Sequence, residues 1–318
     1  MDNWKVLVTS TSFQDTPGKH QELLSKTPFQ FTWMRGPLNE TEMLEIIEDF
    51  DAILCGDDAL TLEVLKKGKK SKLKFISKYG VGLDKIDLIA ANELNIPVTN
   101  CPGVNQVSVA EHFFGLLLGF LRNIPAELDY VMSKGQWKRL TGTEIFGKNI
   151  CIIGLGRIGK EITKRAHAFG MNIYAFDLNA DPNLISEFGI TMVNNLESDF
   201  HLFDFISLNL PLLPETQGII NANLLSKARK NLVIVNTARG ELIVQSDVIE
   251  ALESDSISGY LTDVLDIEPM PENHPLRSLK NVMITPHIGS RTFDSVSRQG
   301  TMAVENLING YNKIIGKK

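Results

Sequence analysis

Short apolar runs rich in β-branched residues alternate with segments whose apolar residues recur every three to four positions. The runs predict strands and the recurring segments predict helices. Within the first hundred residues, the predicted strands are Lys5–Thr9, Ala52–Cys55, Leu73–Ser77 and Ile96–Thr99. The predicted helices are Glu40–Glu48, Leu62–Lys67 and Asp84–Leu94. This alternation indicates a parallel sheet with helices on both faces, whereas residues 10–35 give no legible pattern.

A second alternating series begins at Gly147, after a long helix predicted from Val104 to Arg122. Its strands are expected at Ile150–Ile153, Asn172–Phe176, Phe203–Leu208, Leu232–Asn236, Gly259–Asp263 and Val282–Thr285. The amphipathic segment Asp294–Gly310 follows, with no strand after it. We expect this last helix to return to the first domain. Residues 1–100 and 291–318 then form one domain, and residues 101–290 form the other.

The segment that organises the second series is Ile150–Asp177, which predicts one βαβ unit. Its turn reads Gly154-Leu155-Gly156-Arg157-Ile158-Gly159. In a dinucleotide fingerprint the first glycine permits the tight turn, the second admits a pyrophosphate, and the third lets helix pack on strand. The helix that begins near Arg157 offers unpaired N–H groups to the same pyrophosphate.

Two further residues narrow the identity of the nucleotide that the loop would bind. Gly154, Gly159 and Lys160 also have the spacing of a P-loop, but that loop needs Ser or Thr next, and the chain has Glu161. Asp177 ends the second strand about twenty residues past the first glycine, where a carboxylate binds an adenosine ribose. Because that carboxylate repels a 2′-phosphate, the predicted cofactor is NAD.

Composition excludes several other classes of protein. The 318 residues are 43% hydrophobic and 22% charged, which suffices for two cores. A net charge of −6 gives no nucleic-acid footprint, and the lysine cluster at 66–74 fits a solvated helix end. Three dispersed cysteines, Cys55, Cys101 and Cys151, fit buried thiols in a reducing compartment. Without a signal peptide or membrane-length apolar run, we expect a cytoplasmic protein.

Candidate catalytic groups follow three predicted strands of the nucleotide-binding sheet: Arg239, Glu268 and His287. Reducing a carbonyl by hydride transfer needs a proton donor at its oxygen, which a histidine supplies near neutral pH. A carboxylate such as Glu268 would orient the ring and favour its protonated form. The fork of Arg239 suits a substrate carboxylate. Each residue alone fits a structural role, but their combination favours catalysis.

A second loop, Tyr79-Gly80-Val81-Gly82, ends a strand of the first domain and opens a helix. Its two glycines let consecutive backbone N–H groups converge on an anion, so we expect it to bind substrate. The remaining histidines are not accompanied by such complementary groups, and for His112 a packing or capping role is expected. No His, Cys or carboxylate set has metal-ligand spacing, and no metal is expected.

Taken together and in order, these motifs resemble the D-isomer-specific 2-hydroxyacid dehydrogenase family over nearly the whole chain. Within it, the chain resembles the 3-phosphoglycerate dehydrogenase branch. The motifs are Tyr79–Asp87, Asn105–Glu111, Gly154–Gly159, Pro211–Thr216, Asn236–Gly240, Asp263–Pro269 and Pro286–Gly289. The resemblance implies an α/β protein with two doubly wound parallel-sheet domains and a cleft between them. One would be a flavodoxin-like substrate domain and the other a Rossmann cofactor domain.

The resemblance also implies specific roles. Arg239 would bind the substrate carboxylate and carbonyl, and His287, partnered by Glu268, would be the general acid/base. Asp263 and Thr237 would lie near the nicotinamide, and Leu210, Pro211 and Thr216 along the adenosine. The other expected cofactor residues are Gly154, Gly156, Arg157, Ile158, Gly159, Asp177, Ala238 and Gly289, and substrate would also meet Tyr79, Gly80, Val81, Gly82 and Asn105. Homodimers paired through the cofactor domain, with the segment after Arg122 reaching across, are implied too.

Substrate identity stays open at this point. Cys55-Gly56-Asp57-Asp58 stands where phosphoglycerate dehydrogenases often carry a basic residue, and an acid pair is a poor neighbour for a phosphate. Because the sequence ends at Lys318, appended regulatory domains are not expected. The substrate is therefore a 2-hydroxy or 2-keto acid, with 3-phosphoglycerate, hydroxypyruvate and glyoxylate as candidates. An NAD(H)-sensing binding protein is the alternative of another class.

Overall fold

The computed structural model describes residues 3–316 and contains two separate parallel sheets. Two compact units hold these sheets, one made of Met1–Asn105 with Ser290–Lys318 and the other of Gln106–Gly289. Strands and helices are numbered below in chain order. Both units have the α/β class that the alternating pattern predicts.

The first unit carries a five-stranded sheet in the spatial order β2-β1-β3-β4-β5, with every neighbouring pair parallel. This is the flavodoxin-like order, as expected. Its strands are β1 (Lys5–Val8), β2 (Gln30–Trp33), β3 (Ala52–Cys55), β4 (Phe75–Lys78) and β5 (Val98–Thr99). Its helices are α1 (Thr11–Asp15), α2 (Lys19–Ser25), α3 (Glu40–Ile46), α4 (Leu62–Ser71), α5 (Leu88–Glu93) and α13 (Phe293–Ile314).

The second unit carries a seven-stranded parallel sheet in the order β12-β11-β10-β9-β6-β7-β8. Its strands are β6 (Asn149–Ile153), β7 (Asn172–Phe176), β8 (Thr191–Met192), β9 (Phe205–Leu208), β10 (Val233–Asn236), β11 (Gly259–Thr262) and β12 (Val282–Ile284). Its helices are α6 (Gln106–Leu121), α7 (Ile124–Leu128), α8 (Arg157–Ala168), α9 (Pro182–Phe188), α10 (Leu196–Asp199), α11 (Ala222–Leu225) and α12 (Gln245–Glu253). The strand order reverses between β6 and β9, which is where a Rossmann sheet binds its nucleotide.

Both faces of each sheet are buried. Successive residues of a strand point to opposite faces, so neighbouring residues enter different apolar clusters. In β6, Ile150 and Ile152 enter one apolar cluster while Cys151 and Ile153 enter another. Helix α6 packs Phe113, Leu116 and Leu117 into the first of these clusters. The near-continuous apolar runs in the sequence follow from this two-sided burial.

Two edge strands were not anticipated by the sequence pattern. Strand β2 lies within residues 10–35 and is mostly exposed, and β8 has only two residues. Neither has the buried apolar run that marks the central strands. All the strands that were predicted are confirmed, with boundaries moved by one to two residues in several cases. Helix α5 begins at Leu88, later than Asp84, because the Asp87 side chain caps it at the Ala90 N–H.

The last helix, α13, packs on the first unit as expected. Its buried residues Val296, Ala303, Val304 and Leu307 join the cluster that contains Trp4. The Ser77 hydroxyl donates to the Ala303 carbonyl at 2.7 Å, which ties β4 to the helix. Residues from both ends of the chain therefore complete one core.

Among residues 3–316, no single helix is long and apolar enough to cross a membrane. The pair Gln106–Leu121 and Ile124–Ser133, bent by 62°, meets the length and composition criteria together. Half of α6 is buried inside the second unit, including Phe113 and Leu117. The three cysteines are free and buried.

Candidate active site

The glycine loop joins β6 to α8, and its three glycines have different surroundings. Gly154 has a φ of +98°, and a Cβ there would lie 2.8 Å from the Asn209 backbone oxygen. A Cβ at Gly159 would lie 2.1 Å from the Gly154 backbone oxygen. At Gly156 a Cβ would meet no atom within 4 Å, its chain neighbours apart, among the described residues. Packing explains the first and third glycines, and the second fits close approach of a pyrophosphate.

Asp177 follows β7 and lies against the glycine loop. Its Oδ2 accepts a hydrogen bond of 2.6 Å from the Leu155 N–H, and its Oδ1 accepts one of 2.7 Å from the Asn179 N–H. A carboxylate has about four lone-pair sites, so this half-buried side chain retains acceptor capacity. Beside the loop, Arg157 and Ile158 open α8. The position suits a ribose acceptor.

Two polar atoms at the ends of the neighbouring strands are buried without a hydrogen-bond partner in the described part of the chain. They are Asn209 Oδ1, after β9, and Thr237 Oγ1, after β10. Buried polar groups are nearly always satisfied, so an unsatisfied pair beside a nucleotide loop points to a ligand. These atoms and the open backbone at Gly156 fit a bound dinucleotide.

The segment after β9 contains three of the expected adenosine-side residues. The Thr216 hydroxyl donates to the Pro211 carbonyl at 2.7 Å and accepts from the Leu213 N–H at 2.9 Å. This closes the loop over residues 211–216, while Leu210 packs partly buried against the core. After β10, the Ala238 N–H donates to the Asn236 side chain at 3.0 Å. Hydrogen bonds internal to each loop therefore hold these residues in place.

His287 and Glu268 meet at the ends of β12 and β11. His287 Nδ1 lies 2.8 Å from Glu268 Oε2, and the other carboxylate oxygen accepts from the Leu265 N–H at 2.8 Å. Both side chains are about one-third exposed, 37% and 36% respectively. His287 has a φ of +54°, a left-handed conformation that non-glycine residues rarely adopt. An observed backbone outlier of this kind often marks a functional position.

A buried carboxylate, Asp263, holds the turn that carries His287. The His287 N–H donates to the Asp263 backbone oxygen at 2.9 Å. The Asp263 side chain accepts from the Ile288 N–H at 2.9 Å and from the Gly289 N–H at 2.7 Å. Three successive N–H groups thus bind one residue. A Cβ at Gly289 would lie only 2.9 Å from Asp263 Oδ2, which explains the glycine.

Asp263 also accepts from two side chains. Thr285 Oγ1 donates to its Oδ1 at 2.6 Å, and His112 Nε2 lies 3.3 Å from the same oxygen. Burial raises the pKa of Asp263, but hydrogen bonds from His112, Thr285, Ile288 and Gly289 outweigh it and lower the pKa below its ordinary value. Asp263 is therefore ionised. His112, which the sequence assigned to packing or capping, belongs to this cluster.

Arg239 opens the turn after β10. The Asn236 side chain donates to the Arg239 carbonyl at 2.8 Å, and Arg239 Nη1 donates to the Ala238 carbonyl at 2.7 Å. A Cβ at Gly240 would lie 2.0 Å from the Leu265 carbonyl carbon, so only glycine fits. This contact packs the Arg239 turn against the segment that carries Glu268. The structure therefore brings the three predicted catalytic residues to adjoining loops at one edge of one sheet.

The predicted substrate loop belongs to the first unit, as does Asn105, the residue before α6. Gly80 has a φ of +124°, its carbonyl accepts from the Cys101 N–H at 2.8 Å, and the Val81 side chain is 39% exposed. Tyr79 is buried, and its hydroxyl has no hydrogen-bond partner among residues 3–316. Burial raises the pKa of Tyr79, so the hydroxyl stays protonated.

The acid pair Asp57 and Asp58 divides into two different environments. Asp58 is 1% exposed and accepts from the Leu38 and Gly56 N–H groups and the Thr9 hydroxyl. Asp57 is 47% exposed and pairs with Lys78, whose side chain is 3% exposed, at 2.6 Å. Burial alone would lower the pKa of Lys78, but the charge of Asp57, its hydrogen bond to Lys78 and the other nearby acidic groups together raise the pKa. Only one of the two acids therefore presents charge to solvent.

Residues 3–316 contain no group of three or more His, Cys, Asp or Glu side chains that could hold a metal ion. Of the other histidines, His20 and His274 are buried, and His167 and His201 are exposed. His20 Nε2 lies 3.1 Å from the Phe13 carbonyl, and His274 Nδ1 accepts from the Leu276 N–H at 3.2 Å. Both have local structural partners.

A family model described as "D-isomer specific 2-hydroxyacid dehydrogenase, NAD binding domain" matches residues 114–289. The chain belongs to the D-isomer-specific 2-hydroxyacid dehydrogenase family. The matched residues carry the glycine loop, Asp177, Arg239, Asp263, Glu268 and His287. Because the family model describes an NAD-binding domain, NAD is the cofactor of this unit.

Several proteins and solved structures are similar to this chain. D-3-phosphoglycerate dehydrogenase of Methanocaldococcus jannaschii is 39% identical over 273 residues, covering 85% of this chain and 51% of that protein. The chain thus spans about half the length of that relative. Hydroxypyruvate reductase of Thermotoga maritima is 38% identical, covering 85% of this chain and 88% of that protein. A Thermus thermophilus structure superposes with a TM-score of 0.86, 34% identity and 97% coverage of each chain.

Replacing Asp263 by Asn tests whether its carboxylate stabilises the His287 turn. An amide has one acceptor oxygen, so one of the Ile288 and Gly289 N–H groups loses its partner, at a cost of about 1–3 kcal/mol. Because the folded-state pKa of Asp263 is lowered, its contribution is complete above the unfolded value of about 4 and is lost as pH falls through the folded value. Urea unfolding should show a wild-type advantage at pH 6 that shrinks toward pH 3.

Asp247→Asn is the matched control, since Asp247 also accepts a backbone N–H, from Ala222 at 2.7 Å, but at an exposed position. We expect a smaller and flatter effect there. A wild-type advantage over Asp263→Asn that stays constant across this pH range would contradict the ionised assignment.

Proposed function

We propose that this protein is an NAD-dependent oxidoreductase that interconverts a D-2-hydroxy acid and its 2-keto acid. The observation that carries the proposal is the 2.8 Å pair of His287 Nδ1 and Glu268 Oε2, held in the same unit as the glycine loop. A nucleotide site alone fits a sensor of NAD(H). An oriented acid/base pair beside an arginine favours an enzyme.

In the reductive direction, Arg239 holds the substrate carboxylate and the neighbouring carbonyl oxygen through its planar fork. NADH, held by the glycine loop and Asp177, would supply the hydride for C2 of the keto acid. His287 donates the proton that the carbonyl oxygen takes up, from Nε2, because Nδ1 faces Glu268. In the oxidative direction His287 accepts the hydroxyl proton. Glu268 fixes the ring orientation and stabilises its protonated form.

The remaining expected residues keep their assignments within this proposal. Residues 101–290 form the NAD-binding domain, and residues 1–100 with 291–318 form the substrate-binding domain. Asp177 binds the adenosine ribose, Leu210, Pro211 and Thr216 line the adenosine, and Thr237, Ala238, Asp263 and Gly289 lie near the nicotinamide. Tyr79–Gly82 and Asn105 contribute to the substrate site. The protein works in the cytoplasm on a small 2-hydroxy or 2-keto acid, with no nucleic-acid or membrane partner.

For the substrate, the candidates are 3-phosphoglycerate and the short unphosphorylated acids hydroxypyruvate and glyoxylate. Asp57 favours the second group, since its carboxylate is 47% exposed while its partner Lys78 is buried. An exposed carboxylate beside the Tyr79–Gly82 loop repels a phosphate. NADH consumption with hydroxypyruvate, glyoxylate and 3-phosphohydroxypyruvate should rank the phosphorylated acid last by kcat/KM.

His287→Ala should lower kcat by about 10²- to 10⁴-fold on the best keto acid of that panel, the usual scale of general acid–base catalysis. NADH binding, measured by fluorescence, should change little, because the glycine loop is untouched. His201→Ala, at an exposed histidine of the same unit, is the control and should retain full turnover.

Undiminished turnover of His287→Ala would exclude the acid/base role. Tight NADH binding by the wild type without oxidation by any acid of the panel would instead support the NAD(H) sensor.

Asp177→Asn tests cofactor selectivity. The amide oxygen can still accept from the Leu155 N–H, but the negative charge that repels a 2′-phosphate is gone. The ratio of kcat/KM for NADH over NADPH should therefore fall. Asp181→Asn is the control, since Asp181 pairs with Lys160 at 3.1 Å and caps α9. An unchanged ratio in Asp177→Asn would rule out the ribose assignment.

A homodimer paired through the cofactor domain is also part of the proposal. The segment after α6 exposes large apolar side chains, at Leu128 (57%), Met132 (79%), Trp137 (79%) and Phe146 (74%). Buried between two subunits, these side chains would be removed from water. Analytical ultracentrifugation should show a dimer that Trp137→Asp weakens. Sedimentation of the wild type as a monomer at micromolar concentration would contradict it.

A further inference from the structure

One polar side chain of α6 points at the segment that precedes the catalytic turn. His112 lies among the buried apolar residues Ala110, Phe113 and Phe114, yet its ring reaches the ends of β11 and β12. His112 Nε2 is 2.8 Å from Thr285 Oγ1 and 3.3 Å from Asp263 Oδ1. The His112 side chain is 19% exposed, and that of Asp263 is 3% exposed. The contacts therefore form in a largely water-free setting.

The direction of each hydrogen bond follows from the chemistry of the three groups. An ionised carboxylate only accepts, so the Thr285 hydroxyl, 2.6 Å from Asp263 Oδ1, gives its single proton to Asp263. Thr285 Oγ1 then acts as an acceptor toward His112. The proton on His112 is consequently on Nε2, which donates to Thr285 Oγ1 at 2.8 Å and has Asp263 Oδ1 as a second, more distant acceptor at 3.3 Å. The main chain of donation runs from His112 to Thr285 to Asp263.

This chain gives Asp263 an anchor outside the turn that it holds. Two of the groups that donate to the Asp263 side chain, the backbone N–H groups of Ile288 and Gly289, belong to the His287 turn itself. A carboxylate oriented only by those groups would move with them. His112, from α6, and Thr285, from the end of β12, fix the carboxylate relative to the sheet.

A steric contact supports the same link. A Cβ at Gly289 would lie 3.5 Å from His112 Cδ2 as well as 2.9 Å from Asp263 Oδ2. The imidazole of His112 and the carboxylate of Asp263 therefore lie together beneath the last residue of the turn. The contact with Asp263 is the one that requires a glycine, whereas the distance to His112 is an ordinary van der Waals contact.

We propose that His112 is a positioning residue for His287, acting through Thr285 and Asp263, and this rests on the proposed function of His287. Outer groups that orient a functional side chain act without touching substrate. The expected consequence of losing His112 is a displaced His287 turn, with nucleotide binding and the sheet left in place.

The test compares His112→Phe, which removes the donor, with His112→Gln, whose amide nitrogen can replace Nε2. We expect kcat to fall about 10- to 100-fold in His112→Phe, the scale of a misplacement near 1 Å, and the KM for the keto acid to change far less. His112→Gln should restore most of kcat. His201→Phe, in an exposed 3₁₀ turn, is the control and should match the wild type.

A structural readout accompanies the kinetics. Hydrogen exchange of the peptide that covers residues 285–290 should be faster in His112→Phe than in the wild type, and near wild-type in His112→Gln. If His112→Phe does not fold, Thr285→Val breaks the same chain at its middle. A 10-fold or larger loss of kcat in Thr285→Val supports the proposal on the same scale of misplacement, and an unchanged kcat overturns it.

His287→Ala, assayed in parallel, separates the two claims. If His287→Ala is strongly impaired while folded His112→Phe keeps wild-type kcat, the positioning role is wrong and the proposed function stands. If His287→Ala keeps full kcat, the proposed function itself fails.

Discussion

The arrangement of the candidate site depends on the carboxylate of Asp263. It is a buried charge, and a buried charge is tolerated only when hydrogen bonds replace the water it has lost. Here the replacing donors are the Ile288 and Gly289 N–H groups, the Thr285 hydroxyl and the His112 ring. The same bonds that stabilise the charge therefore fix the turn of His287. The stability of the buried charge and the geometry of the proposed catalytic turn are consequences of one local constraint.

Backbone contacts also position the loops that carry Arg239 and Glu268, the other two proposed catalytic residues. Gly240 rests against Leu265 so closely that no side chain fits, and Glu268 then accepts from the Leu265 N–H while reaching His287. The parallel sheet supplies the common edge, since its strands all end on the same side. The close contact at Gly240 and the hydrogen bonds of Glu268 then set the distances between the loops. This division explains how the side chains proposed to be catalytic come together from separate strands.

Much of the fold and part of the candidate site could be predicted from the sequence, because the central strands and the glycine loop have strong local signatures. The run Ile150–Asp177 predicted the βαβ unit, and the structure confirms it with β6, α8 and β7, whose strands pair in parallel. Strands β2 and β8 were missed because neither contains a buried apolar run. His112 was assigned a packing or capping role because helical periodicity cannot show which strand end a side chain reaches. Asp57 and Asp58 looked alike in sequence, and only burial separates them.

The pH dependence of the two reaction directions tests the central claim most directly, that His287 carries the proton in a site held by Asp263. The rate of keto-acid reduction should fall as pH rises, because the donor must be protonated. The rate of hydroxy-acid oxidation should fall as pH decreases, with both limbs reporting the same group. Both limbs should disappear from the residual activity of His287→Ala. The same two limbs in His287→Ala, or rates independent of pH in the wild type, would contradict the account.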